Sequence, residues 1–67
     1  MKSVLTISNL NNNEDVIIIK DVIAKNEGVI ACEVNLNKKE VNIVYDNNTV
    51  DLDVFIAAIE EIGYSII

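Results

Sequence analysis

The hydrophobic and polar residues of this chain follow two alternating kinds of spacing. From Lys2 to Ser8 apolar and polar residues take turns, which is typical of a strand with one buried face. The same alternation returns from Val29 to Leu36 and from Val41 to Tyr45, with turn-forming residues at 37–39 between the two segments. These segments are therefore predicted to form a hairpin, and Tyr64 to Ile67 is predicted to form a short final strand.

The alternation in the second strand also assigns side chains to faces. The predicted inward residues are Ile30, Cys32, Val34 and Leu36. Cys32 is the only cysteine, and we expect it to be a small core residue whose thiol pKa is raised by burial. A single cysteine cannot form an intramolecular disulfide, which fits a protein of the reducing cytoplasm.

The first helical segment begins in an asparagine-rich stretch, Asn9 to Val16. Candidate caps and first-turn acids are Asn11, Asn12, Asn13, Glu14 and Asp15. A buried stripe with helical spacing follows at Val16, Ile19, Val22 and Ile23. Four consecutive β-branched residues at 16–19 would suit a strand, but the stripe and the glycine at position 28 favour a helix. Ile17 and Ile18 lie off the stripe and are predicted to be exposed.

A second helix is predicted after Asp51, its expected N-cap, and before Gly63, which ends it. Its buried stripe is Leu52, Phe55, Ile59 and Ile62. The order strand, helix, strand, strand, helix, strand predicts a single α+β domain over residues 1–67. This is the ferredoxin-like βαββαβ sandwich, with a four-stranded antiparallel sheet and both helices on one face.

Composition excludes several classes of function. The formal charge is −6, and the five basic residues are all lysines, so nucleic acid is not an expected partner. No apolar run approaches the roughly 20 residues of a membrane span, so no membrane contact is expected. The chain has no histidine, no serine with a base partner and no glycine-rich phosphate loop. We therefore do not expect an enzyme.

Seven short segments occur at a spacing that resembles a known family. They are Leu10, Val16, Gly28-Val29, Val34-Asn35-Leu36, Tyr45-Asp46, Ala58-Ile59-Glu60 and Gly63-Tyr64. With them the chain resembles the heavy-metal-associated domain of copper chaperones and of the N-terminal regions of metal-transporting P-type ATPases. The resemblance runs nearly end to end and implies the same ferredoxin-like fold. It also implies that Leu10, in place of the family's methionine, and Tyr64 support the loop before the first helix.

That loop departs from the family motif. The family has Gly-Met-Thr-Cys-x-x-Cys where this chain has residues 9–15, so Asn12 and Asp15 replace both metal-binding cysteines. Thiolates select Cu(I), whereas amide and carboxylate oxygens suit Mg, Ca or Mn. Cu(I) is therefore not an expected cofactor. A smaller departure is Asn26, where the family commonly has an apolar residue, and it is expected to loosen the end of the first helix.

Two functions fit this combination. The first is an interaction or regulatory module, linked by resemblance to copper homeostasis, which meets a partner such as a domain of a metal-transporting ATPase. Its partner-binding residues would be Asn11, Asn13, Ile17 and Ile18, and the domain itself would be a monomer. The alternative is a weak site for a hard divalent cation, with Asn12, Glu14 and Asp15 as ligands, although such ions want six to eight oxygens. These residues are also what an ordinary capped helix start favours.

Overall fold

The computed structural model describes all 67 residues. Its elements are β1 (Lys2–Thr6), α1 (Asn13–Ala24), β2 (Val29–Asn35), β3 (Glu40–Tyr45) and α2 (Leu52–Glu61). Strand β3 is central, with β1 and β2 as its antiparallel neighbours. The predicted hairpin and both predicted helices are confirmed. Neither helix has the length and apolar character needed to cross a membrane.

The predicted fourth strand is wrong, because the sheet has three strands. The C-terminal segment makes one antiparallel bridge, between Ile7 and Ile66. Backbone hydrogen bonds from Ser8 N to Ser65 O (2.9 Å) and from Ile67 N to Thr6 O (2.9 Å) hold it along the edge of β1. The ladder of main-chain hydrogen bonds does not continue beyond this point. The next bonds to the C-terminal segment come from the side chain of Asn9 and not from a main-chain group.

One core joins the sheet to both helices. Its fully or nearly fully buried members are Leu5, Ile7, Leu10, Ile19, Ile23, Val41, Ile43, Tyr45, Phe55 and Ile59. The predicted helical stripes thus point inward, except at Val22, which is half-buried outside this core, and at Ile62. Ile62 is 42% exposed, because α2 ends at Glu61 and Ile62 is its C-cap, where the helical spacing no longer applies.

Strand β2 contains an irregularity that its residue pattern does not reveal. Val29 pairs with Tyr45, but Ala31 pairs with the preceding residue, Val44, so Ile30 is an extra residue on the β2 side. Such a bulge turns its side chain out of the regular alternation. Ile30 is 70% exposed, and its predicted inward position is wrong. Cys32 lies opposite Ile43 and packs against the core as predicted.

Asn26 tightens the end of α1, contrary to the expectation that it loosens it. Its backbone N–H donates to Ile23 O (3.1 Å), and its side-chain Nδ2 donates to Val22 O (3.1 Å). The last carbonyls of a helix have no partner within the helix, so these bonds satisfy them. Gly28 follows with φ +88, and a Cβ there would come within 2.9 Å of Val50. Glycine is therefore required where the chain leaves α1 for β2.

Candidate functional site

The asparagine-rich loop is held by a reciprocal cap at the start of α1. Asn12 is the N-cap, and its Oδ1 accepts a hydrogen bond from the backbone N–H of Asp15 (3.0 Å). In return, Oδ2 of Asp15 accepts from the backbone N–H of Asn12 (3.3 Å). This is a capping box, in which the residue three positions after the cap reciprocates its bond. Of the three candidate asparagines, Asn12 is the cap because Asp15, three positions later in the sequence, can return its hydrogen bond.

Asp15 also connects the loop to the C-terminal segment. Its Oδ2 accepts a further bond from the backbone N–H of Asn11 (2.9 Å), and its Oδ1 accepts from the phenol of Tyr64 (2.6 Å). These donors, Tyr64 first, hold the pKa of the Asp15 carboxyl below its usual value. The same bond raises the pKa of Tyr64 to about 12. The phenol therefore remains a donor across the whole physiological range.

Asn9 makes a second connection to the same segment. Its side-chain Nδ2 donates to Gly63 O (3.2 Å), and its Oδ1 accepts from the backbone N–H of Ser65 (2.8 Å). An amide side chain that donates and accepts in this way imitates the peptide group of a neighbouring strand. Leu10, the next residue, is fully buried in the core. The loop is consequently fixed both from beneath, by Leu10, and from the side, by Asn9.

Lys39, in the turn between β2 and β3, reaches the loop from the other side. Its Nζ donates to Ser8 O (3.1 Å) and lies 3.5 Å from Oδ1 of Asn11. Neither Asn9 nor Lys39 was among the predicted site residues. Asn9 lies within the polar stretch that marked the loop, whereas nothing local in the sequence connects Lys39 to a residue 31 positions away.

The remaining predicted residues lie on the outer side of the loop and of α1. Asn13 and Glu14 are exposed, and Ile17 and Ile18 expose 66% and 43% of their surface. The structure thus brings Asn12, Asp15 and Tyr64 together in one network, while the side chain of Glu14 makes no hydrogen bond to it. No group of three or more His, Cys, Asp or Glu side chains has an arrangement that could hold a metal ion.

The profile of the heavy-metal-associated domain matches residues 16–65. The chain belongs to the heavy-metal-associated domain family. It is 38% identical over 48 residues to the copper chaperone CopZ of Staphylococcus haemolyticus, an alignment that covers 72% of this chain and 71% of that protein.

Solved structures establish the same fold for this heavy-metal-associated domain. A CopZ metallochaperone superimposes with a TM-score of 0.96 at 22% identity, over 100% of both chains. A copper-binding domain from HMA7, a P-type ATPase, gives a TM-score of 0.89 at 19% identity, over 98% of this chain and 92% of that one. The chain is thus related by sequence to a copper chaperone, and it shares its fold with both of these structures.

The donor atoms of this heavy-metal-associated domain do not fit Cu(I), a soft ion that prefers thiolates. Its only cysteine, Cys32, lies on β2 and not in the loop. Burial raises the pKa of the Cys32 thiol, an effect that the nearby Lys20 ammonium only partly offsets. The raised pKa confirms the prediction from the sequence. The loop offers amide and carboxylate oxygens, and both carboxylate oxygens of Asp15 already accept hydrogen bonds.

The Tyr64 to Asp15 bond gives a pH prediction. Because the folded pKa of Asp15 is below its ordinary value of 3.8, its stabilising contribution is complete above that value and is lost as the pH falls through the lowered one. We expect Tyr64→Phe to raise the Asp15 pKa toward the ordinary value and to flatten this acid dependence. Carbon NMR of the carboxyl between about pH 5 and pH 2 measures it.

Tyr45→Phe is the matched control, because the Tyr45 phenol is hydrogen-bonded to Oγ of Ser3 (3.0 Å) and makes no hydrogen bond to Asp15. It should leave the Asp15 titration where it is in the wild type. An Asp15 pKa that is the same in the wild type and in Tyr64→Phe would contradict the hydrogen bond as the main cause of the shift.

Proposed function

We propose that this heavy-metal-associated domain is an interaction or regulatory module of cytoplasmic metal homeostasis that does not carry Cu(I). The capping box is the observation that carries the proposal. Asn12 and Asp15 use their side-chain oxygens on backbone N–H groups of residues 11–15. A metal ion that took these oxygens would compete with the start of α1, because each freed N–H would lose its partner.

The relatives supply the link to copper. One is described as a copper chaperone and another as a copper-binding domain of a P-type ATPase. The fold is that of such proteins, while the donor atoms of the loop are hard oxygens. A domain of this kind can occupy the docking position of a chaperone without delivering an ion.

The surface proposed to meet the partner lies beside the fixed loop. Ile17 and Ile18 expose much of their apolar surface, and fully burying such a side chain contributes about 1.5–3 kcal/mol. Asn11 and Asn13 are exposed next to them and supply polar groups. The net charge of −6 favours a basic partner surface, which would be steered toward the domain. A domain of a metal-transporting ATPase is the proposed partner.

The absence of Cu(I) transport is tested by titrating the purified monomer with Cu(I) in the presence of a competing Cu(I) chelator. We expect the chelator to keep the metal, because the loop has no thiolate and Cys32 is a single, half-buried thiol. Cys32→Ala should behave as the wild type does. One-to-one, sub-micromolar binding by the monomer would falsify the proposal.

The docking surface is tested with the N-terminal domain of a copper-transporting ATPase from the same organism, by NMR titration of the labelled heavy-metal-associated domain. Ile17→Asp and Ile18→Asp should each weaken binding at least about tenfold, because a carboxylate would then be buried at an apolar contact. Val54→Asp is the control, since Val54 is 43% exposed on α2. Equal losses in all three variants, or none in the α1 variants, would contradict this surface.

A further inference from the structure

Lys39 adopts a backbone conformation that is unfavourable for its residue type. Its φ is +56, and it is the only residue other than glycine with a positive φ. Glycine populates this left-handed region freely, whereas a side chain with a Cβ does so at a cost. The conformation is fixed by the turn, because the backbone N–H of Lys39 donates to Leu36 O (3.2 Å) and its carbonyl accepts from the N–H of Ile7 (2.8 Å).

That conformation directs the side chain of Lys39 across the end of the molecule. The Nζ atom is 3.1 Å from Ser8 O and 3.5 Å from Oδ1 of Asn11. Both residues lie in the segment between β1 and α1. An ammonium group donates up to three hydrogen bonds and attracts the negative ends of carbonyl dipoles. Glycine at position 39 would relieve the backbone but could not make this contact.

We propose that Lys39 is a positioning residue whose ammonium group orders residues 8–11 and so presents the loop in one conformation without a bound ion. The other supports of the loop act from beneath and from the C-terminal side, through Leu10, Asn9 and Tyr64. Lys39 acts from the opposite side, where no other side chain bonds the loop. This inference concerns loop order alone, so it can fail while the proposed lack of Cu(I) binding holds.

Hydrogen exchange of three loop amides tests the inference. The N–H groups of Ser8, Leu10 and Asn11 bond Ser65 O, Ile7 O and Oδ2 of Asp15 respectively. We expect Lys39→Met, which keeps the aliphatic stem and removes the charge, to speed their exchange roughly two- to fivefold relative to the wild type. The amide of Ile43, in the central strand, is the reference for global opening and should exchange at the wild-type rate.

Two further variants separate charge from backbone strain. Lys39→Arg keeps a cation and should restore slow exchange at the three loop amides. Lys39→Gly relieves the backbone, so the domain should be no less stable, yet its loop amides should exchange as fast as in Lys39→Met. The proposal is overturned if the loop amides of Lys39→Met exchange at the wild-type rate. It is also overturned if Lys39→Arg matches Lys39→Met, if Lys39→Gly keeps the wild-type rate, or if Ile43 accelerates equally.

Discussion

Replacing Asn12 and Asp15 together by cysteine is expected to give this domain sub-micromolar, one-to-one affinity for Cu(I). Asn12 is the N-cap of α1 and Asp15 follows three residues later, and their reciprocal hydrogen bonds bring the two side chains together at the first turn. Thiolates are favoured there because the N-terminus of a helix lowers the pKa of a cysteine. Competition with a Cu(I) chelator, run beside the wild type, measures the gain.

The same double substitution should weaken the metal-free domain. It removes the capping box, and loss of an N-cap side chain costs about 0.5–2 kcal/mol. Cu(I) should then raise the urea midpoint of the double variant, since a ligand that binds only the folded state stabilises it. The single variant Asn12→Cys is the control and should stay without Cu(I). A folded double variant that binds no Cu(I) would show that the loop lacks the geometry of its relatives.

Phe55→Ala is expected to remove roughly half of the free energy of unfolding of this domain and to lower its urea midpoint accordingly. Phe55 is fully buried, and its ring meets that of Tyr45 edge to face at 5.2 Å. Truncating a buried phenylalanine costs about 3–5 kcal/mol. At about 0.05–0.15 kcal/mol per residue, a domain of 67 residues has only about 3–10 kcal/mol in total. Far-UV circular dichroism and urea unfolding measure the loss.

Val54→Ala is the matched control, one residue away on the same helix with a partly exposed side chain. It should change the free energy of unfolding by no more than about 0.5 kcal/mol. Should Phe55→Ala unfold at nearly the wild-type urea concentration, a single core that joins the sheet to both helices would be the wrong description of this domain.

The elements predicted from residue spacing are those in which spacing and burial agree. Alternation located β1 and β3, and helical stripes located α1 and α2, because each has one face against the common core. The exposure of Ile30 was not predicted, because an inserted residue in a bulge leaves the apolar pattern of β2 intact while it shifts the strand pairing by one residue. The prediction of a fourth strand was wrong for a related reason. The residue pattern of Tyr64 to Ile67 does not reveal whether the segment is bonded by the main chain or by a side chain of its neighbour.

Residue spacing alone predicted the site only where its bonds are local, whereas the supporting role of Tyr64 was implied by the family resemblance. A run of asparagines followed by Asp15 indicates a capped helix start, although the choice of Asn12 requires the reciprocal bond to be considered. The bonds of Tyr64 to Asp15 and of Lys39 to Ser8 connect residues 49 and 31 positions apart. No local pattern encodes such contacts, because they depend on which loops the fold brings to the same end of the sheet.

The capping box has a consequence for how this surface responds to oxidants. A pair of cysteines at a helix start can form a disulfide or be oxidised to sulfenic acid. The shape of such a surface therefore depends on the redox state of the cell. Asn12 and Asp15 have no such chemistry, and the single thiol of the chain lies half-buried on β2. The face around Ile17 should therefore remain the same under peroxide or reductant. A partner that binds this face would bind it with the same affinity under both conditions.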